Sequence, residues 1–217
     1  MLSRTADVLP GILSQEKGNS LAYPCVVPAQ ILPGKIAGEF GVVRRAKPIL
    51  AEQALRPGDV VVRRVNPDCA AVFAKPPPSK EATPSGAVLP SSNVLVVRPG
   101  PDLLPEFAAF LLSATSVLAR IKQASGVGKQ VAALSPARLA AAEIPLPPLA
   151  VQRRYAEAWR ASLRAEAALR ARADAHARFR RLLGDAAFRP HDLRADVPGD
   201  AAFRPRPDDN AAESRIP

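Results

Sequence analysis

Ile144-Pro145-Leu146-Pro147-Pro148-Leu149-Ala150-Val151-Gln152-Arg153-Arg154 joins a proline-stiffened apolar strap to a long helix. Each proline fixes φ, lacks an N–H and biases the residue before it toward extended geometry, so helix is excluded before Leu149. From Leu149 onward neither proline nor glycine occurs until Gly184, where a helix C-terminus commonly places one. A compact domain feeding directly into a helical rod is the organisation this predicts.

Of 217 residues, 47% are hydrophobic, enough to bury one good core with an appendage. The net charge is +10, and 23 of the 30 basic residues are arginine. Guanidinium forks match phosphate oxygens and guanine edges, so nucleic acid is the leading partner, with GC-rich coding as the bland account of the same composition. No run reaches the roughly 18 apolar residues of a membrane span, and no signal-peptide pattern opens the sequence, so a cytoplasmic location with no membrane partner is expected. Cys25 and Cys69 lie far apart with no Cys or His at ligand spacing, which argues against zinc and leaves two buried reduced thiols.

Charge separates three segments. Residues 1–148 carry +6, residues 149–184 carry +6 and residues 185–217 carry −2. The last segment repeats Gly-Asp-Ala-Ala-Phe-Arg-Pro at 184–190 and 199–205, too few copies for a solenoid, and reads as a disordered tail.

Strand signals fall at 22–27, 41–43, 60–64, 70–74 and 94–97, and the Pro57-Gly58-Asp59 turn should start a strand at Asp59 or Val60. Residues 75–92 should form an exposed loop, whereas 103–123 carries Leu104, Phe107, Phe110, Leu111, Ala114, Leu118 and Ile121 at helical spacing. The predicted class is α+β: a mostly β domain with late helices, then a long coiled-coil-like helix.

Along that helix Tyr155, Trp159, Leu163, Leu169, Phe179, Leu182 and Leu183 recur at helical intervals among alanines. Small alanines let two helices approach closely, so the stripe predicts a seam with a partner helix, the alternative being that it folds back on its own domain. Thirty-five residues at about 1.5 Å each span roughly 50 Å. Two domains at opposite ends of such a seam would read a split sequence with an unread gap.

Sequence reading needs forked or amide side chains on loops, with phosphate contacts setting position. The candidates are Lys35, Arg44, Arg45, Arg63, Arg64, Lys80, Ser91, Asn93, Lys129 and Gln130, each with a solvated surface role as alternative. Gly126 and Gly128 join them, because glycine permits close backbone approach beside Lys129 and Gln130. Enzymatic readings find little support. Gly128-Lys129 has Gln123 where a phosphate-binding loop needs its first glycine, and no Ser or Thr follows. Asn66-Pro67-Asp68-Cys69 lacks the second proline and the aromatic of the amino-methyltransferase motif, and no Glu has Lys two residues later as a magnesium-dependent nuclease would need. His176 and His191 lie on the helix and in the tail, away from any candidate site.

The ordered set Leu55-Arg56-Pro57-Gly58-Asp59-Val60-Val61-Val62-Arg63, Pro90-Ser91-Ser92-Asn93-Val94-Leu95-Val96-Val97-Arg98-Pro99, the helix from Leu104 to Leu112, Gly126-Val127-Gly128-Lys129-Gln130, Leu134-Ser135 with Leu139, and the strap with Gln152 resembles the target-recognition domain and following helix of type I restriction-modification specificity (S) subunits. The resemblance covers nearly all of residues 1–184, with one copy of the domain and one of the helix where family members usually carry two. It implies a non-catalytic subunit that binds double-stranded DNA, homodimerises through the helix and positions a DNA adenine methyltransferase, with a helicase-nuclease as a further partner. S-adenosylmethionine, ATP and magnesium are then expected only in those partners. A scaffold that assembles a defence complex without reading DNA is the alternative. The domains expected are 1–148 for target recognition, 149–184 for spacing and dimerisation, and 185–217 for the tail.

Overall fold

The computed structural model describes residues 2, 5–14, 21–74, 86–123 and 133–187. Val60-Val61-Val62 and Val94-Leu95-Val96-Val97 are continuous apolar runs, the mark of strands covered on both faces. They form β6 (Val60–Arg63) and β9 (Val94–Pro99), the middle of a four-stranded antiparallel sheet ordered β1-β9-β6-β7, with β1 at Ala6–Pro10 and β7 at Ala70–Val72. Side chains alternate across the pleat. Val60, Val62, Leu95 and Val97 enter the main core with Phe107, Leu112 and Leu139 from the helices, while Val61, Val94 and Val96 meet Val26, Ile31 and Phe73 on the other face.

The helical layer comprises α1 (Pro105–Ser113), α2 (Thr115–Gln123), α3 (Pro136–Ala140) and α4 (Leu149–Ala187). A second sheet, ordered β5-β2-β8, pairs β2 (Leu21–Val26) antiparallel with β5 (Gly41–Arg45) and parallel with β8 (Leu89–Pro90). A hairpin of β3 (Ile31–Leu32) and β4 (Lys35–Ile36) completes the strands. The chain divides into compact units at 1–165 and 166–217, so the first turns of α4 belong to the domain. Ala156 is buried in the main core, Trp159 packs on it, and Leu163 Cδ1 occupies the space that a Cβ on Gly34 would take.

Two polar clamps hold these layers. Asp59, buried at the head of β6, accepts from Arg98 Nε and from one terminal nitrogen of Arg98, both at 2.9 Å, and from the Arg56 N–H at 2.8 Å. Hydrogen bonding to Asp59 raises the Arg98 pKa further, so the guanidinium stays charged, and its bonds to Asp59 tie the Pro57-Gly58 turn to β9. Gln152, also buried, accepts from the Leu104 N–H at 3.0 Å and donates to the carbonyls of Asp102 and Pro147, both at 2.9 Å. One amide thereby caps α1, fixes the strap and seats α4.

The fold is α+β, as expected, and all five sequence-predicted strands are present. Three differences have physical causes. The 103–123 helix is broken at Ala114, whose backbone is extended, and the hydroxyl of Ser113 is diverted to the Ala70 backbone N–H at 2.9 Å. The 75–92 loop holds a strand at its end, because Val88, Leu89 and Pro90 are buried against β2; residues 75–85 lie outside the described residues. Helix α4 continues through Gly184 to Ala187, since one glycine costs only about 1 kcal/mol and two alanines follow Asp185. Of the predicted tail, 188–217 lie outside the described residues.

Replacing Gln152 with Leu leaves one N–H and two carbonyls without their partner, and urea unfolding should show a loss of about 3 kcal/mol. Burial pushes the Cys25 thiol up to about 11, and burial with Asp68 beside it does the same for Cys69. Neither should react with a thiol reagent at pH 8 in the native protein, and both should titrate once denaturant is added.

Candidate nucleic-acid interface

Beyond β6 the backbone of Arg64 is fixed on both sides. Its N–H donates to the Asn93 carbonyl at 2.8 Å and its carbonyl accepts from Leu134 at 2.7 Å. The side chain is exposed, and among the described residues it touches the Ser92 carbonyl at 3.5 Å. The next residue, Val65, bridges Ala133, where the chain returns after residues 124–132. On the other side of the turn, Ser91 bridges Ile12. Leu13 follows, and its carbonyl accepts from Arg45 at 3.2 Å; Ser14 Oγ accepts the N–H of Arg44 at 3.2 Å. A path of backbone bridges, completed by the side chains of Ser14 and Arg45, therefore brings Arg44, Arg45, Ser91, Asn93 and Arg64 to one edge of the domain.

These side chains are not equivalent. Arg44, Arg64 and Asn93 are exposed, and the cations form no ion pair among the described residues. Arg45 is half-buried, with its Nε enclosed and without a partner among the described residues, and the Ser91 hydroxyl is likewise enclosed. Beside Arg45 a cleft of about 740 Å³ also holds Arg56, Arg98, Asp7 and Glu52. With Arg98 neutralised by Asp59, two cations there face two carboxylates, so the interior of the cleft carries no net positive charge.

Arg63 is a different residue from its neighbour. It donates to the carbonyls of Pro28 at 2.9 Å and Ile31 at 2.7 Å and pairs with Asp68 at 3.1 Å. Its fork is engaged within the domain, unlike that of Arg64. Lys35 is exposed on the β3-β4 hairpin, whose Gly34 turn lies against Trp159 and Leu163, and is not part of the edge. Lys80, Gly126, Gly128, Lys129 and Gln130 lie outside the described residues.

The helix stripe divides. Tyr155 stacks on Phe110 at 5.9 Å and 10°, Trp159 packs against the same ring, and Leu163 meets Gly34. These three residues are engaged by their own domain, because the aromatic face of α1 and the hairpin turn give them a partner within the chain. Leu169, Phe179, Leu182 and Leu183 are exposed, as a free seam requires.

Sequence reasoning passed over Asn66 as a fragment of a methyltransferase motif. It is the one non-glycine with positive φ among the described residues, at +48°, and is exposed two positions beyond Arg64. An Asn-Pro step directly after a cationic strand end was the available signal. Among the described residues no cluster of three His, Cys, Asp or Glu groups could hold a metal.

No family model matches the sequence, and no curated protein matches it. Solved structures do. The fold is that of a type I restriction-modification chain: one match comes from a study of complex assembly and conformational transition of the type I R-M system, with TM-score 0.57 and 22% identity, covering 83% of this chain and 42% of that one. The HsdS subunit from Thermoanaerobacter tengcongensis matches with TM-score 0.54 and 24% identity, over 91% of this chain and 50% of its own. The specificity-subunit fold expected from the resemblance is thus the one found, and the chain spans half the length of these neighbours or less.

Arg63→Ala should destabilise the domain by about 2–4 kcal/mol in chemical denaturation, since several buried acceptors lose a charged donor. Arg64→Ala, one residue on, should stay within about 0.5 kcal/mol of wild type.

Proposed function

We propose that this chain is a sequence-specific DNA-recognition subunit of a type I-like restriction-modification or methylation-based defence system in the cytoplasm. The observation that carries the reading is the edge where Arg44, Arg64 and Asn93 stand exposed without acidic partners among the described residues, on a fold shared with an HsdS subunit. Arg44 and Arg45 supply charge for the phosphate backbone, and the Arg64–Asn93 turn offers fork and amide donors to base edges.

The exposed part of α4 pairs with the same part of a second copy. Phe179, Leu182, Leu183 and Ala186 share a face at i, i+3, i+4 and i+7, the spacing of a helix seam. Two domains held by that seam read two half-sites and place a DNA adenine methyltransferase over them. Methyl transfer, with S-adenosylmethionine, belongs to that partner. ATP and magnesium belong to a helicase-nuclease where the system includes one. The chain itself performs no chemistry and acts by binding and positioning.

Binding to random duplex libraries should enrich one split motif, and affinity for it should fall steeply with salt. The two phosphate contacts of one domain give roughly a 12-fold loss for a four-fold rise in salt, and the second domain adds as much again. A scaffold that does not read DNA would show neither effect. Sedimentation should give a dimer for the wild type and a monomer for a Phe179→Glu, Leu183→Glu variant; a wild-type monomer would exclude the seam.

A further inference from the structure

Beside Arg64 the edge holds a non-glycine residue in left-handed backbone. Asn66 has φ +48°, a region in which glycine is at ease and asparagine is tolerated. The neighbouring Pro67 is buried and fixes the chain on one side, while the Val65 bridge to Ala133 and the two main-chain bonds of Arg64 fix it on the other. Between these anchors the Asn66 side chain is exposed, and its amide meets no partner among the described residues. The same holds for the Asn93 amide on the turn facing Arg64. Left-handed backbone at a non-glycine residue costs free energy and persists where its surroundings impose it, most often at working surfaces.

From this geometry we infer that Asn66 is a base-reading residue, which together with Arg64 and Asn93 forms the specificity-determining head of the edge, while Arg44 and Arg45 on β5 only clamp phosphates. The inference rests on the DNA-recognition reading above and deepens it. An asparagine amide pairs bidentately with adenine and an arginine fork with guanine, so the head has the donors and acceptors to discriminate among base pairs. The backbone from which these side chains reach is held by main-chain bonds at Arg64, Val65 and Asn93, which fixes where each can meet a base edge. Arg45 is poorly placed to read bases alongside them, because one guanidinium nitrogen is tied to the Leu13 carbonyl and Nε is enclosed, so its fork is not open for a bidentate contact.

Asn66→Gly separates reading from conformation, since glycine takes the same φ at lower strain and lacks only the amide. The full-length chain and its variants are each used to select duplexes from a random library, with melting curves as a control on folding. Asn66→Gly should melt no lower than wild type and lose preference at one base pair by about ten-fold, as Asn93→Ala should at another. Arg45→Ala should select the wild-type motif at every position with weaker binding and a salt slope reduced by about one, and Arg45→Lys should restore much of the affinity. Asn66→Gly selecting the unchanged wild-type motif, or Arg45→Ala changing it, would overturn the assignment. If the wild-type chain selects no motif, it is the DNA-recognition reading that fails, and this inference with it.

Discussion

The buried amide of Gln152 is the contact on which the arrangement of the domain depends. Proline-rich chain cannot hydrogen-bond regularly, and the first N–H groups of a helix have no partner of their own. Here both problems are met by one side chain, which accepts from Leu104 at the head of α1 and donates to Asp102 and to Pro147 of the strap. Because Gln152 sits in the first turn of α4, the same three bonds decide which face of that helix meets the core. Ala156, Trp159 and Leu163 follow on that face, so this part of the helix is a core element rather than a linker.

With the helical layer seated, the central sheet can be apolar on both faces, and the few charges inside it must be paired. Asp59 and Arg98 are the pair, and they join the turn before β6 to the body of β9. Antiparallel pairing of β6 with β9 then places Arg64 opposite Asn93. The candidate interface is therefore a by-product of sheet register: a shift of one residue would exchange the β6 valines between the two cores and move Arg64 away from Asn93.

Much of this was legible in the sequence because it obeys local rules. Val60-Val61-Val62 after Pro-Gly-Asp, the apolar run at Val94, and the prolines before Leu149 each announce an element by themselves. What escaped was set by distant contacts. Leu89 and Pro90 form a strand only because β2 lies beside them, and the helix break at Ala114 depends on Ser113 reaching Ala70. For the interface, Arg44, Arg64 and Asn93 were identifiable as exposed donors, yet Arg63 and Arg64 look alike in sequence. Their roles divide because alternate side chains on a strand face opposite ways, and Arg63 turns inward to Pro28 and Ile31. In the same way, no pattern in the helix stripe distinguishes Trp159, covered by Phe110, from the exposed Phe179.

If the chain reads DNA as proposed, the duplex meets the domain at the edge built by Arg64, Val65, Asn66 and Asn93. The most direct measurement places a photo-crosslinking side chain at Val65, which is 39% exposed there, and in a second protein at Lys35 on the β3-β4 hairpin. Irradiation with a bound duplex should join position 65 to bases of the selected half-site and leave position 35 free. Crosslinks from position 35 alone, or from neither position, would contradict it.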